Sequence, residues 1–364
     1  LIIKSKILYS FFFLSSLAFL SLLYSINISL WLHDFFRLIN VLVALFLFSN
    51  IFMQHRISFY NVSIIVYLAC LLEAFFSLSP LIVEFYHSGS KIFSISNLNI
   101  DALKGVTGNR NITTASIVVK LPFIFYAIFH SRSGITKLIF SIFLVLPALV
   151  LFLISSRAAL LSFIFILFSY GLYTLSKAYR FKKLLFSLNY LFLLIPVMVS
   201  YLLSINILPS TDRTALTKVS QIRVTNESSS NRFELWSNAL DYIYNHPIIG
   251  AGLGNWKVES AQYWGSLGEN YLVPFHAHND FLEYSTELGV IGGLAYLLIY
   301  LFSYRRLFSF FNKYPLIVVT LFSSLSTYFI DAFFNFPMER PIMQLPFVLI
   351  LSLIVNLNKF SYEN

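Results

Sequence analysis

Long apolar runs separated by short polar turns dominate the chain. Runs near Ile7–Ile26, Leu38–Met53, Phe59–Leu78, Thr113–Phe129, Leu138–Ile154, Ala158–Leu175 and Leu184–Leu203 precede one extended polar stretch. Runs near Phe281–Phe302, Leu316–Ile330 and Ile342–Leu357 follow it. Each approaches the ~20 residues that carry an α-helix across ~30 Å of hydrocarbon. Hydrocarbon offers the backbone no hydrogen-bond partner, so such runs fold as helices. The pattern predicts an all-α integral membrane protein of about ten transmembrane helices.

The polar stretch from Ser204 to Asn279 has its own periodicity. Phe233, Trp236, Leu240, Ile243 and Tyr244 recur at helical spacing, which predicts a short amphipathic helix over about Asn231–Tyr244, capped by Ser230 or Asn231. Such a helix lies on the membrane surface or packs against the spans. His246 and Pro247 end it, and "GAGLGNW" supplies turns in which glycine permits positive φ or close backbone approach. A plain loop helix with a connector fits the same residues.

Composition narrows the class. Hydrophobic residues make up 58% of the chain and charged residues 11%, and the mean hydropathy is +0.76; one soluble core could not hide so many apolar runs. The single cysteine, Cys70, lies inside a run and allows no intramolecular disulfide. The net charge of +9 falls between the spans, which argues against a nucleic-acid partner. One set of short connections holds Lys4, Lys6, Arg56, Arg132, Lys137, the Lys177–Lys183 cluster, Arg305, Arg306, Lys313 and Lys359; the opposite set holds only Arg37, Arg157 and Arg340. The positive-inside bias therefore places both termini in the cytoplasm, and Ser79–Ile112 and Ser204–Asn279 outside. The first apolar run is as long as a full span and lacks a small-residue cleavage site, so no cleaved signal peptide is expected.

Proton-active groups concentrate in "HAHNDFLEYSTELGVIGG", His276–Gly293, at the end of the outward stretch. Here the chain resembles the O-antigen ligase family, which includes O-antigen ligases, O-antigen polymerases and protein O-oligosaccharyltransferases. The resemblance rests on His278 and Asn279 followed at fixed spacing by Gly289 and Gly292. It rests too on "TGNRNITTASIVVKLPF", "SSRAAL", "NRFELWSNALDYIYNHPIIGAGLGNW" and "DAFFNFPMERP", which agree in order and cover about residues 105–345. It implies a GT-C-like membrane fold: amino-terminal helices and a first outward loop over 1–104, a ligase-like membrane domain over 105–358 that includes the outward loop 204–279, and a cytoplasmic tail over 359–364.

The resemblance also implies an enzyme of the bacterial cytoplasmic membrane, with its active site facing the periplasm. It would move a glycan from undecaprenyl diphosphate to a hydroxyl on lipid A-core or a similar acceptor, with inversion and with no metal or other cofactor. A polysaccharide polymerase with the same donor chemistry is the alternative within the family.

The residues suit that chemistry. A sugar hydroxyl needs a base within hydrogen-bond reach, and neutral imidazole fits, which points to His278; Asp280 or Glu283 could orient its ring. The bland reading is that His278 caps the helix beginning near Asn279. A departing diphosphate gains negative charge, and arginine grips phosphate bidentately. Arg157 and Arg232 are the candidates, with Arg340 and more remotely Lys104 and Arg110 adding to the field; an ordinary snorkelling or solvated arginine is the competing account. Asp280, Glu283 and Glu287 share one helix face, and Glu287 could be a strut to Arg157 or Arg340. Gly289, Gly292 and Gly293 read as a smooth patch for helix packing. Asp331 and Asn335 stand where they could line the cavity. His276, His278 and Asp280 form a poor zinc set. From a different class, a transporter would use Glu73, Glu287 and Arg157 as an ion pathway, without the inverted repeat such proteins show.

Overall fold

A computed structural model of the chain describes residues 5–55, 58–88, 102–182, 189–207, 232–263 and 275–360. Among these residues the regular structure is helical throughout. The helices are α1 (Lys6–Leu20), α2 (Ile28–Gln54), α3 (Phe59–Ser88), α4 (Arg110–His130), α5 (Gly134–Ile154), α6 (Arg157–Phe181), α7 (Leu191–Ile207), α8 (Arg232–Asn245), α9 (Trp256–Glu259), α10 (Asp280–Ser309), α11 (Pro315–Phe334) and α12 (Pro341–Val355). Eight helices are long and apolar enough to cross a bilayer, and α7 and α12 are shorter apolar helices of 17 and 15 residues. The all-helical multi-pass architecture expected from the apolar runs is thus observed. α8 occupies the predicted place of the amphipathic helix, but the face it buries is Leu235, Ala239 and Tyr242, while Phe233, Leu240 and Tyr244 of the expected apolar stripe are exposed. Its expected caps, Ser230 and Asn231, lie outside the described residues.

The chain forms two compact units, each assembled from separate stretches. The first comprises Leu1–Arg56, Arg223–Ser309 and Phe329–Lys359; the second comprises Ile57–Ile222, Phe310–Tyr328 and Phe360–Asn364. In the second unit α4 is the most enclosed span, with 83% of its apolar window buried. Among the described residues, Glu73 of α3 pairs in its core with Lys120 of α4, Oε2 to Nζ 2.6 Å, joined by Ser116.

In the first unit α12 lies on α2, where Asn356 Nδ2 donates to Ser49 O at 3.1 Å. The Trp31 indole of α2 donates to Ala18 O of α1 at 2.9 Å. The turn after α8 docks on the α1–α2 connection: Leu253 N donates to Ser21 Oγ, and Asn27 N donates to Asn255 Oδ1 at 2.7 Å.

α10 is broken. Gly289 has φ 72° and ψ 176°, a conformation in which a side chain is strained, and a Cβ there would collide with the Ile248 carbonyl. A helix broken inside a membrane must satisfy its freed backbone groups elsewhere. Here the turn after α8 does so: Val290 N donates to Pro247 O, Ala251 N to Thr286 O and Gly252 N to Glu287 O, all at 2.9 Å. Gly250 permits this approach, since a Cβ would strike the Thr286 carbonyl. The glycine of the motif is therefore more than a smooth packing surface at position 289; it is the break itself.

Candidate active site

The outer end of α10 positions the proton-active groups. Asn279 caps the helix, its buried Oδ1 accepting the backbone N–H of Phe281 at 2.9 Å and of Leu282 at 3.1 Å. The cap is thus Asn279, and His278 is released from that duty. His278 instead sits just before it in the left-handed region, φ 51°. Its ring is partly buried and meets Phe336 edge-on at 4.9 Å. Its Nδ1 is buried with no hydrogen-bond partner among the described residues. Burial, aided by the positive charges of Arg232, His276 and Arg340 and opposed by Glu283, pushes the imidazole down to about 4. It is therefore neutral across the physiological range.

His276 has the opposite environment. Its Nδ1 lies 2.7 Å from Glu283 Oε1, its ring stacks on Phe336 at 4.0 Å, and Glu283 Oε2 accepts Ala277 N–H at 3.2 Å. Burial alone would lower its pKa, but the Glu283 charge and hydrogen bond outweigh burial and raise it. The carboxylate expected to orient His278 thus holds His276. The other candidate, Asp280, is also engaged, accepting from Tyr296 OH at 3.1 Å and Met338 N–H at 3.3 Å.

Arg340 lies over Phe336 with Cζ 4.1 Å from the ring centroid, so one aromatic side chain gathers both histidines and an arginine. Arg232, the first residue of α8, donates from Nη2 to Asn335 Oδ1 at 3.2 Å, and Asn335 in turn donates to Asp331 Oδ1 at 2.6 Å. The structure therefore brings together His278, Arg232, Arg340, Asn279, Asp280 and Glu283 in the first unit. Arg157 is the first, partly buried residue of α6 in the second unit, after the left-handed Ser155.

Behind this constellation lies a cavity of about 30 Å³ lined by Asp34, Arg37, Asp280, Glu283, Glu287 and Glu339 among others. Arg37 bridges Glu339 at 2.5 Å and Asp34 at 3.2 Å, while Lys257 bridges Asp34 at 2.9 Å and Glu339 at 3.3 Å. Sequence reasoning missed this network. Asp34 and Arg37 stand three apart between two expected runs, and the structure places both in the long apolar helix α2, where charges are a functional signal by default. Phe336 offered no signal among 40 phenylalanines.

Among the described residues one group could converge on a cation: His276, Glu283 and Glu339, whose ligand atoms lie within 4.8 Å of one another. It differs from the set of His276, His278 and Asp280 weighed from sequence. Its donors are already engaged, Glu339 by Arg37 and Lys257 and Glu283 by His276 and the Ala277 N–H. A metal would have to displace two partly buried cations, so the group fits an ion-pair network better.

Glu73, one of the three residues of the transporter reading, is the partner of Lys120 in the second unit. No curated protein matches the chain. Residues 142–297 match the family model described as O-antigen ligase, a stretch that contains Arg157, Arg232, both site histidines and the break at Gly289.

Proposed function

Starting from a chain whose residues 142–297 belong to the O-antigen ligase family of glycosyltransferase-like membrane enzymes, we propose that it transfers a glycan from an undecaprenyl-diphosphate carrier to a hydroxyl acceptor at the outer face of the cytoplasmic membrane. The acceptor oxygen bonds to the anomeric carbon. The bond from that carbon to the phosphate oxygen breaks, its electron pair leaves with the lipid diphosphate, and the hydroxyl proton passes to His278. Attack and departure on opposite sides invert the anomeric centre.

The observation that carries this reading is a neutral imidazole kept among arginines. At about 4 His278 has roughly the basicity of a free carboxylate, and it is in its accepting form at every physiological pH. Such a base takes the proton late, once the glycosyl–phosphate bond has stretched and the hydroxyl has acidified. Arg232 and Arg340 are assigned to the diphosphate, whose growing charge they neutralise in place of a metal. Asn279 and Glu283 hold the two histidines apart in role, and Asp280 and Glu287 shape the acidic cavity behind them.

Purified enzyme in nanodiscs, given a synthetic lipid-linked donor, tests the reading. His278→Ala should retain donor binding and lose transfer, and wild-type transfer should persist in excess chelator. Near-normal transfer by His278→Ala, or activity that vanishes with chelator and returns with one divalent ion, would overturn it. The acceptor offered in the same assay separates ligase from polymerase: lipid A-core serves the first and a second lipid-linked glycan the second.

A further inference from the structure

The turn after α8 runs through a segment that its sequence position makes an extramembrane loop, yet its backbone is bonded into the interior of a span. Pro247 O accepts Val290 N–H, and the Ile248 carbonyl packs on Gly289, nine residues inside α10. The depth of that contact follows from the helix itself. Arg305 and Arg306 mark the opposite membrane boundary, where Arg306 Nε donates to Ile354 O at the end of α12. From Arg305 back to Gly289 the helix rises about 24 Å at ~1.5 Å per residue, and any tilt shortens the projection. The hydrocarbon core is ~30 Å thick. Gly289 and the turn bonded to it therefore lie inside the hydrocarbon.

The side chains agree. The α10 residues with large exposed apolar surface begin at Val290 and continue through Ile291 and Leu294, the surface a span shows to lipid. Ile248, 74% exposed, and Ile249, 57% exposed, extend that surface onto the turn. Irregular backbone at membrane depth is tolerated where protein satisfies its polar groups: Pro247 O accepts Val290 N–H, His246 N–H returns to Tyr242 O, and the Ala251 and Gly252 N–H groups that follow the turn are taken by Thr286 and Glu287.

We propose that His246–Gly250 is a re-entrant turn whose Ile248 and Ile249 side chains contact the lipid hydrocarbon of the leaflet on the His278 side. The turn ties the broken half of α10, which carries Asn279, Asp280 and Glu283, to the bilayer. This inference rests on the membrane span and not on the transfer reaction.

Single cysteines at Ile248 and Ile249, labelled with an environment-sensitive fluorophore in proteoliposomes, test it. Gln262→Cys in the polar segment and Leu301→Cys on the exposed face of α10, about one helical turn inside Arg305, serve as the two references. The native Cys70 is fully buried and can be retained, with unlabelled-site background read from wild type. Labels at 248 and 249 should match Leu301→Cys: blue-shifted emission, several-fold quenching by lipid-borne nitroxide and protection from aqueous iodide. Iodide quenching at either position, as at Gln262→Cys, overturns the proposal. Protection from both quenchers, as a covering protein partner would give, overturns it equally.

Discussion

In the second unit the buried Glu73 has its own ammonium, Lys120 at 2.6 Å, with Ser116 beside it, in a core of aliphatic and aromatic side chains interspersed with buried serines and threonines. In the first unit Asp34, Asp280, Glu283, Glu287 and Glu339 surround one small cavity, and Arg37 and Lys257 are the cations bridged to them. A lone matched pair stabilises little beyond its own desolvation and is replaceable by apolar groups of similar volume. A cluster with more carboxylates than bridging cations is costly to bury and has no packing rationale, so its retention points to chemistry. The contrast supports the proposed site in the first unit, where the motif histidines also lie, and supports a structural role for the Glu73–Lys120 pair.

The largest effect expected is on transfer. His278→Ala should lower it by ~10²–10⁴-fold, the usual contribution of a general base, while expression and thermal stability stay near wild type. The parallel substitution in the other unit, Glu73→Gln with Lys120→Met, should leave transfer within a few-fold. If instead that double variant abolished transfer while folding normally, the division between the units would be wrong.

Next comes the network itself. Arg37→Ala leaves Glu339 and Asp34 without one of their two cations and should destabilise the protein by ~3–5 kcal/mol, the cost of an uncompensated buried charge. Lys120→Met alone should cost a similar amount in the second unit, but adding Glu73→Gln should recover most of it, because the pair is self-contained. Thermal unfolding in detergent, followed by tryptophan fluorescence, measures both. Adding Glu339→Gln to Arg37→Ala should recover less, since Asp34 remains.

The spans were legible because hydrocarbon length and backbone satisfaction constrain any sequence that crosses a bilayer, and the His278 neighbourhood was legible from its resemblance. What escaped depends on contacts between distant residues. Nothing local shows that Gly289 breaks α10, because its partners Pro247 and Ile248 lie about forty positions away in a polar segment. The transfer of Glu283 from His278 to His276 was hidden for a different reason. A seven-residue separation spanning a helix cap has no fixed geometry, so spacing alone could not choose between the two rings. Arg37 was counted only for orientation and Asp34 was not weighed at all, although the buried Asp34 and partly buried Arg37 of α2 stand apart from loop charges.

Phe336 gives a moderate effect. It stacks His276, abuts His278 and underlies Arg340, so Phe336→Leu should remove the platform while keeping apolar volume. Transfer should fall by roughly tenfold, as expected when a cation–π contact and ring orientation worth ~1–2 kcal/mol are lost. Phe336→Trp should restore more of it than Phe336→Leu. Equal activity of the two variants would reduce Phe336 to a spacer.

The smallest effect expected is a displacement of the acid limb of the pH profile. In wild type, transfer should hold through pH 6 and fall only as His278 is protonated near its value of about 4. Four charged or titratable groups act on that ring: Arg232 from α8, Arg340 at the start of α12, and His276 and Glu283 on its own segment. The first three favour the neutral form and Glu283 opposes them. His276→Gln removes one favouring cation, so the His278 pKa should rise toward 6.5 and the acid limb should move to higher pH. The shift should be a fraction of a unit, because burial and Arg232 contribute more than His276 and both remain. Glu283→Gln has the reverse sign at His278: it removes the one group that favours protonation, so the limb should not move up. A limb that stays in place in His276→Gln would show that the two histidines are not electrostatically coupled and that burial and the arginines keep His278 neutral.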